Sequence, residues 1–137
     1  MSYDLMVFDA DAAPHVRDQF LDWYKQQTQW SEGHGYNDPA VPTAKLRSWF
    51  LDIIRLFPPL NGPLAQDDAP EDEDSVTDYS LGRFVIYCSF SWSRTEQAHK
   101  AVFELAEKHG VGFFDVSSND SGLRLPKDGV LRLENSK

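Results

Sequence analysis

Phe84–Phe90 reads FVIYCSF, and what stands on either side of it decides the kind of sheet it can join. Phe84, Ile86, Cys88 and Phe90 alternate with Val85, Tyr87 and Ser89, the two-residue period of an extended strand. Just before it, Thr77–Leu81 (TDYSL) carries a shorter strand signal, and Gly82 between the two predicts a tight hairpin. Just after it, Ser93 and Glu96 in S-R-T-E have the spacing of a capping box that opens a helix. Ala98, Ala101, Val102, Leu105 and Ala106 give that helix a narrow apolar face, and Gly110 suits its C-terminal cap. Val111–Val116 (VGFFDV) returns to a strand. The unit is hairpin, helix, strand.

The N-terminal half supplies the complement. Tyr3–Phe8 (YDLMVF) places Leu5 and Val7 on one face and Met6 and Phe8 on the other, so both faces are apolar and the strand is expected to be central. Pro14 suits a first helical turn, and Val16, Phe20, Trp23, Tyr24 and Gln27 follow at helical spacing until about Thr28. Gln29–Pro42 is broken by Gly33, Gly35, Pro39 and Pro42 and reads as a loop. Thr43 is the expected cap of the next helix, whose stripe of Leu46, Trp49, Phe50, Ile53, Ile54 and Phe57 is the cleanest in the chain. Pro58-Pro59 stops it. Weaker strand signals stand at Leu123–Leu125 and Val130–Leu133 around a Lys127-Asp128-Gly129 turn.

With the second helix set aside, the order is βαββαβ, the split βαβ arrangement. Right-handed crossovers put the first and third core strands in the middle. The expected fold class is therefore α+β: a mostly antiparallel sheet of four to six strands with three helices on one face, ferredoxin-like with one extra helix. The 137 residues have the length of a single domain. The expected core contains Leu46, Phe50, Ile53, Ile54, Ile86, Cys88, Val102, Leu105 and Phe113.

Charge is distributed unevenly. The chain carries 22 acidic and 13 basic residues, a net charge of −9, and Gln66–Asp78 (QDDAPEDEDSVTD) alone holds seven of the acids with no base. The self-repelling acids and the scarcity of apolar groups predict a flexible acidic loop at 61–76. An acidic protein is repelled by phosphate backbones and anionic lipid heads, so neither nucleic acid nor a membrane is the expected partner, whereas a basic protein fits. The sole cysteine, Cys88, lies in an apolar run and reads as a buried reduced thiol. MSYDLMVFD has no basic region and no long apolar stretch, so neither signal peptide nor membrane span is expected, and the expected compartment is the cytoplasm.

Motifs for chemistry fare poorly. A calcium loop counted from Asp67 needs Gly at its sixth position and Glu at its twelfth, and Asp72 and Asp78 stand there. Glu32, His34 and Asp38 lie close in the glycine-rich loop and have the ligand chemistry for a transition metal, but no His-x-His or Cys pair joins them. No G-x-S-x-G surrounds a serine, and Gly33-His34-Gly35 is not a phosphate-binding glycine loop. Gly82-Arg83-Phe84-Val85-Ile86-Tyr87 echoes an RNA-recognition strand, against the charge balance. No catalytic residue, cofactor or metal is expected. Trp30, Tyr36 and Trp92 lie in or beside loops where no period demands burial, and rings in such places anchor interfaces as well as folding over a core edge.

Ser48–Pro63 (SWFLDIIRLFPPLNGP), Asp78–Gly82 (DYSLG) and Ala106–Ser118 (AEKHGVGFFDVSS) resemble segments of a family of small acidic bacterial proteins with no assigned enzymatic activity. In size, charge and compartment that family is similar to the immunity proteins of polymorphic toxin systems. The resemblance implies a protein that neutralises a cognate toxin, here a basic one, by direct contact, and it assigns no contact residue. The residues themselves nominate Trp30, Tyr36, Trp92 and the acids Asp67, Asp68, Glu71, Asp72, Glu73 and Asp74 for the partner. The alternative is a small enzyme or ligand-binding domain using the polar loop around His34.

Overall fold

The structure is a computed structural model, and it describes residues 3–30, 32–33, 36–60, 76–116, 122–127 and 130–133. The acidic loop expected at 61–76, with all six of its nominated acids, lies outside them apart from Val76. The elements are β1 (Tyr3–Phe8), α1 (Arg17–Gln27), α2 (Ala44–Ile53), β2 (Asp78–Leu81), β3 (Val85–Phe90), α3 (Thr95–His109), β4 (Gly112–Asp115), β5 (Gly122–Lys127) and β6 (Val130–Leu133). The strands form one six-stranded sheet in the order β2-β3-β1-β4-β5-β6. Every pairing within it is antiparallel. The α+β class is thus the observed one, and among the first four strands β1 and β3 are central. No helix among the described residues is long and apolar enough to cross a membrane.

The helices do not share one face, which corrects the expected arrangement. Leu5 and Val7 of β1 join a core with Leu46, Trp49, Phe50 and Ile53 of α2 and Ala98, Val102 and Ala106 of α3. Met6 and Phe8 point the other way, into a second core with Phe20 of α1, Val85, Phe114 and Leu123. The reason is in β1 itself. A strand apolar on both sides must be covered on both sides, so the helices divide between the two faces. The helix standing apart is α1, whereas α2 packs against α3.

Rings fill both cores. Phe20 sits 4.8 Å from Phe8 and 5.2 Å from Phe114 by ring centroid, with Trp23 and Tyr24 half-buried around it. On the other face the Trp49 indole N–H points at the Val102 carbonyl at 3.4 Å. The Tyr79 hydroxyl donates to the Phe57 carbonyl at 2.7 Å, tying β2 to the exit of α2. Of the expected core, Ile54 and Leu105 are only partly buried against it. The regular part of α2 ends at Ile53 and continues as turns through Phe57, whose amide still reaches the Ile53 carbonyl at 2.9 Å.

Two expected caps are corrected. Thr43 precedes α2 without a side-chain cap, and its hydroxyl is buried with no hydrogen-bond partner. Its amide donates instead to the Arg83 carbonyl at 3.0 Å. The N-cap position of α3 falls on Arg94, which makes no side-chain cap bond, rather than on Ser93, because the chain first makes a single 3-10 turn over Trp92–Arg94 that Ser91 caps by accepting the Ser93 amide. Gly110 does end α3 in the left-handed conformation, at φ 68°.

Gly112 of β4 faces Phe8 of β1, and a Cβ built there would overlap the Phe8 ring. Gly112→Ala should therefore destabilise the protein by about 1–3 kcal/mol, the cost of overfilling a packed core. Ile53→Ala should cost about 2–5 kcal/mol, and Ile54→Ala distinctly less. Urea denaturation measures all three, and equal losses at 53 and 54 would mean that α2 is rotated from the orientation described.

Candidate functional site

Three groups of side chains lie at the margins of the two cores. The first is the loop after α1. Trp30 and Tyr36 both adopt the left-handed region, at φ 54° and 60°, a conformation that costs a bulky residue on the order of 1–2 kcal/mol. What holds them is local and specific. Their rings meet edge to face at 5.0 Å, and Trp30 lies 6.0 Å from Tyr87. The Tyr36 hydroxyl accepts the Glu32 amide at 2.6 Å, and the Tyr36 carbonyl accepts the Leu81 amide at 2.8 Å. The Glu32 carboxylate in turn accepts the Arg83 amide at 3.1 Å. Both nominated rings are half-buried, and they pin this loop to the β2–β3 turn.

The polar residues of the same loop are engaged in its own fold. Asp38 accepts the Ala40 amide at 2.9 Å, closing a turn. The Arg47 guanidinium collects the carbonyls of Pro39, Ala40 and Pro42 at 3.0, 2.9 and 3.2 Å. His34 lies outside the described residues, and among those described no three His, Cys, Asp or Glu side chains gather as a metal site would require.

The second group surrounds Trp92. This ring is 49% exposed and rests 5.6 Å from that of Tyr3. Tyr3 also lines a cavity of about 370 Å³ with Thr95, Glu96, His99 and Lys100. His99 stacks on Phe103 with 13° between the planes and meets Phe113 edge-on at 5.2 Å. Burial, and then the Asp115 carboxylate, push the Tyr3 hydroxyl up to about 12. Asp115 keeps one buried oxygen with no hydrogen-bond partner.

The third group is the seam between α2 and α3, which the sequence analysis did not nominate. A cleft of about 460 Å³ opens there on Leu56, Phe57 and Ala101, with Arg94, Gln97, Lys100 and Glu104 around it. A second cleft of about 330 Å³ shares Leu56 and adds Asp52, Arg55, Leu105 and Lys108. At its end Asp52 takes the His109 ring nitrogen at 2.6 Å and the Lys108 ammonium at 3.2 Å. These two bonds, His109 first, hold the Asp52 carboxyl below the usual carboxylate range. Leu56 is 59% exposed and Leu60 60% exposed. The sequence did hold the signal: Leu51, Leu56 and Leu60 are large apolar residues off the stripe that buries α2.

Comparison of the chain with protein-family models, with curated proteins and with solved structures returned no match.

The Asp52 cluster makes stability depend on pH. A carboxyl whose folded value is depressed adds stability above its unfolded value, near 3.8, and loses it as pH falls through the folded one. The thermal midpoint of the native protein should therefore drop on acidification below about pH 4, and Asp52→Asn should flatten that part of the curve. Separately, Tyr36→Phe deletes the acceptor for the Glu32 amide and should cost about 0.5–1.5 kcal/mol by denaturant titration.

Proposed function

We propose that this chain is an immunity-type binding protein, which neutralises a cognate basic toxin by direct protein–protein contact in the bacterial cytoplasm. One observation carries the reading. Five large hydrophobic side chains are exposed among the described residues, and four of them (Leu51, Leu56, Leu60 and Trp92) belong to α2, its exit, or the turn before α3. Of these, Leu56 lines both α2–α3 clefts and Trp92 rests against Tyr3 of the separate cavity, and exposed apolar groups beside clefts are the usual mark of an interaction surface. The net charge of −9 supports it further, since it favours encounter with a positive partner. The thiol of Cys88 is fully buried, and burial pushes its pKa well up, which fits a structural cysteine in a reducing compartment.

A second reading, a small enzyme or ligand-binding domain, draws on the cavity beside Trp92. There an imidazole, a phenol and a carboxylate (His99, Tyr3 and Glu96) line one space. The His34 version of this reading lies outside the described residues.

Co-expression with the product of the neighbouring gene separates these readings. The immunity reading expects that product to be toxic alone, harmless with this protein present, and co-purified with it. Neutralising Asp67, Asp68, Glu71, Asp72, Glu73 and Asp74 together should slow association and weaken its salt dependence. Leu56→Ala with Leu60→Ala should chiefly speed dissociation. A harmless neighbour, or undiminished killing, would end the reading, and turnover abolished by His99→Ala but kept by Leu56→Ala would establish the second.

A further inference from the structure

The α2–α3 seam has a chemistry at odds with the rest of the chain. Ala44–Leu60 and Trp92–His109 together carry six Lys or Arg against four Asp or Glu, whereas the remaining residues carry seven against eighteen. Along the two clefts, which share Leu56, the cations are Arg55, Arg94, Lys100 and Lys108, and the anions are Asp52 and Glu104. Asp52 is already bonded to Lys108 and His109. The lining among these charges is apolar, contributed by Leu56, Phe57, Ala101 and Leu105.

The groove also has a length. Its α3 side runs from Arg94 to Lys108, which at about 1.5 Å per residue is roughly 20 Å, the span of a helix of about four turns. An amphipathic helix laid in such a groove presents an apolar ridge at i, i+4 and i+7 to the floor and its flanking polar positions to the rims.

We infer that the α2–α3 groove seats an acidic amphipathic helix of the protein partner, its apolar ridge on Leu56, Ala101 and Leu105 and its carboxylates toward Arg55 and Lys100. This assignment rests on the binding function proposed above and specifies the surface through which it works. It also sets orientation. The acid-rich remainder of the chain draws a basic surface while the groove selects an acidic element. A partner must therefore offer both signs in the right order, and a reversed approach places like charges together.

The test uses the full chain and two synthetic helical peptides of about four turns, one with leucines at i, i+4, i+7 and i+11 flanked by Glu, the other identical but with Lys for every Glu. Fluorescence anisotropy gives the affinities, and amide chemical shifts locate the contact. The Glu peptide should bind with shifts centred on Leu56, Ala101 and Leu105, and the Lys peptide at least about tenfold more weakly. Arg55→Glu with Lys100→Glu should invert that preference, and Leu56→Asp, at an exposed position, should weaken the Glu peptide about tenfold with an unchanged thermal midpoint. Equal binding of both peptides, shifts elsewhere on the molecule, or a concentration-dependent dimer abolished by Leu56→Asp would overturn the assignment, the last by making a second copy the occupant. The neighbouring gene product separates this inference from the function it rests on. Equal capture by the wild type and the charge-reversed variant removes the groove and leaves the function. Capture by neither, with the Glu peptide still seated, removes the function and leaves the groove.

Discussion

Burial of β1 on both of its faces is the constraint from which the rest follows. Leu5, Met6, Val7 and Phe8 are all fully buried, two on each side of the sheet. A layer of helix is required above and below, and three helices cannot divide evenly. One face receives α1 alone. Beyond its reach that face turns polar: Asp4, Ser89 and Asp78 stand in one row across β1, β3 and β2, and the Tyr87 hydroxyl donates to Asp4 at 2.6 Å. The other face receives two helices, and two cylinders side by side leave a seam. The groove with its exposed Leu56 is that seam, a by-product of the same division that completes the core.

The loop between α1 and α2 shows how the crossover is held. Its backbone is unfavourable at Trp30 and Tyr36, and the compensation comes from across the chain, where Leu81 and Arg83 donate amides to Tyr36 and Glu32. Arg47, on α2, gathers the following carbonyls and so fixes where that helix begins relative to the loop. Position thus passes from the β2–β3 turn through the loop to α2, and with it the placing of Leu56.

Periodicity made most of this legible. The stripe of Leu46, Trp49, Phe50 and Ile53 and the alternation in FVIYCSF each report burial directly, so elements and class could be read from residues alone. Periodicity does not say which helix covers which face, and β1, apolar on both faces from Leu5 to Phe8, left that choice open. Caps were less legible because a single 3-10 turn over Trp92–Arg94 moves the start of α3 past Ser93. Trp30 and Tyr36 could have faced a partner or the core, and the choice is made by hydrogen bonds to residues some fifty positions away. Leu56 was visible as an off-stripe apolar residue, but its place in the seam depends on how α3 lies beside α2, which no local pattern encodes.

Phe8 and Gly112 carry one more consequence. Alternating patterns specify how strands slide only when one face is oily and the other wet, since a slip then turns the wrong side inward. With oil on both sides, β1 could shift past β4 by one position or two without exposing anything. A ring lying where a side chain would otherwise project removes that freedom, because only one alignment brings Phe8 over the residue without a Cβ. The pair acts as a key and keyway, and it supplies the positional information that hydrophobic patterning in this strand cannot.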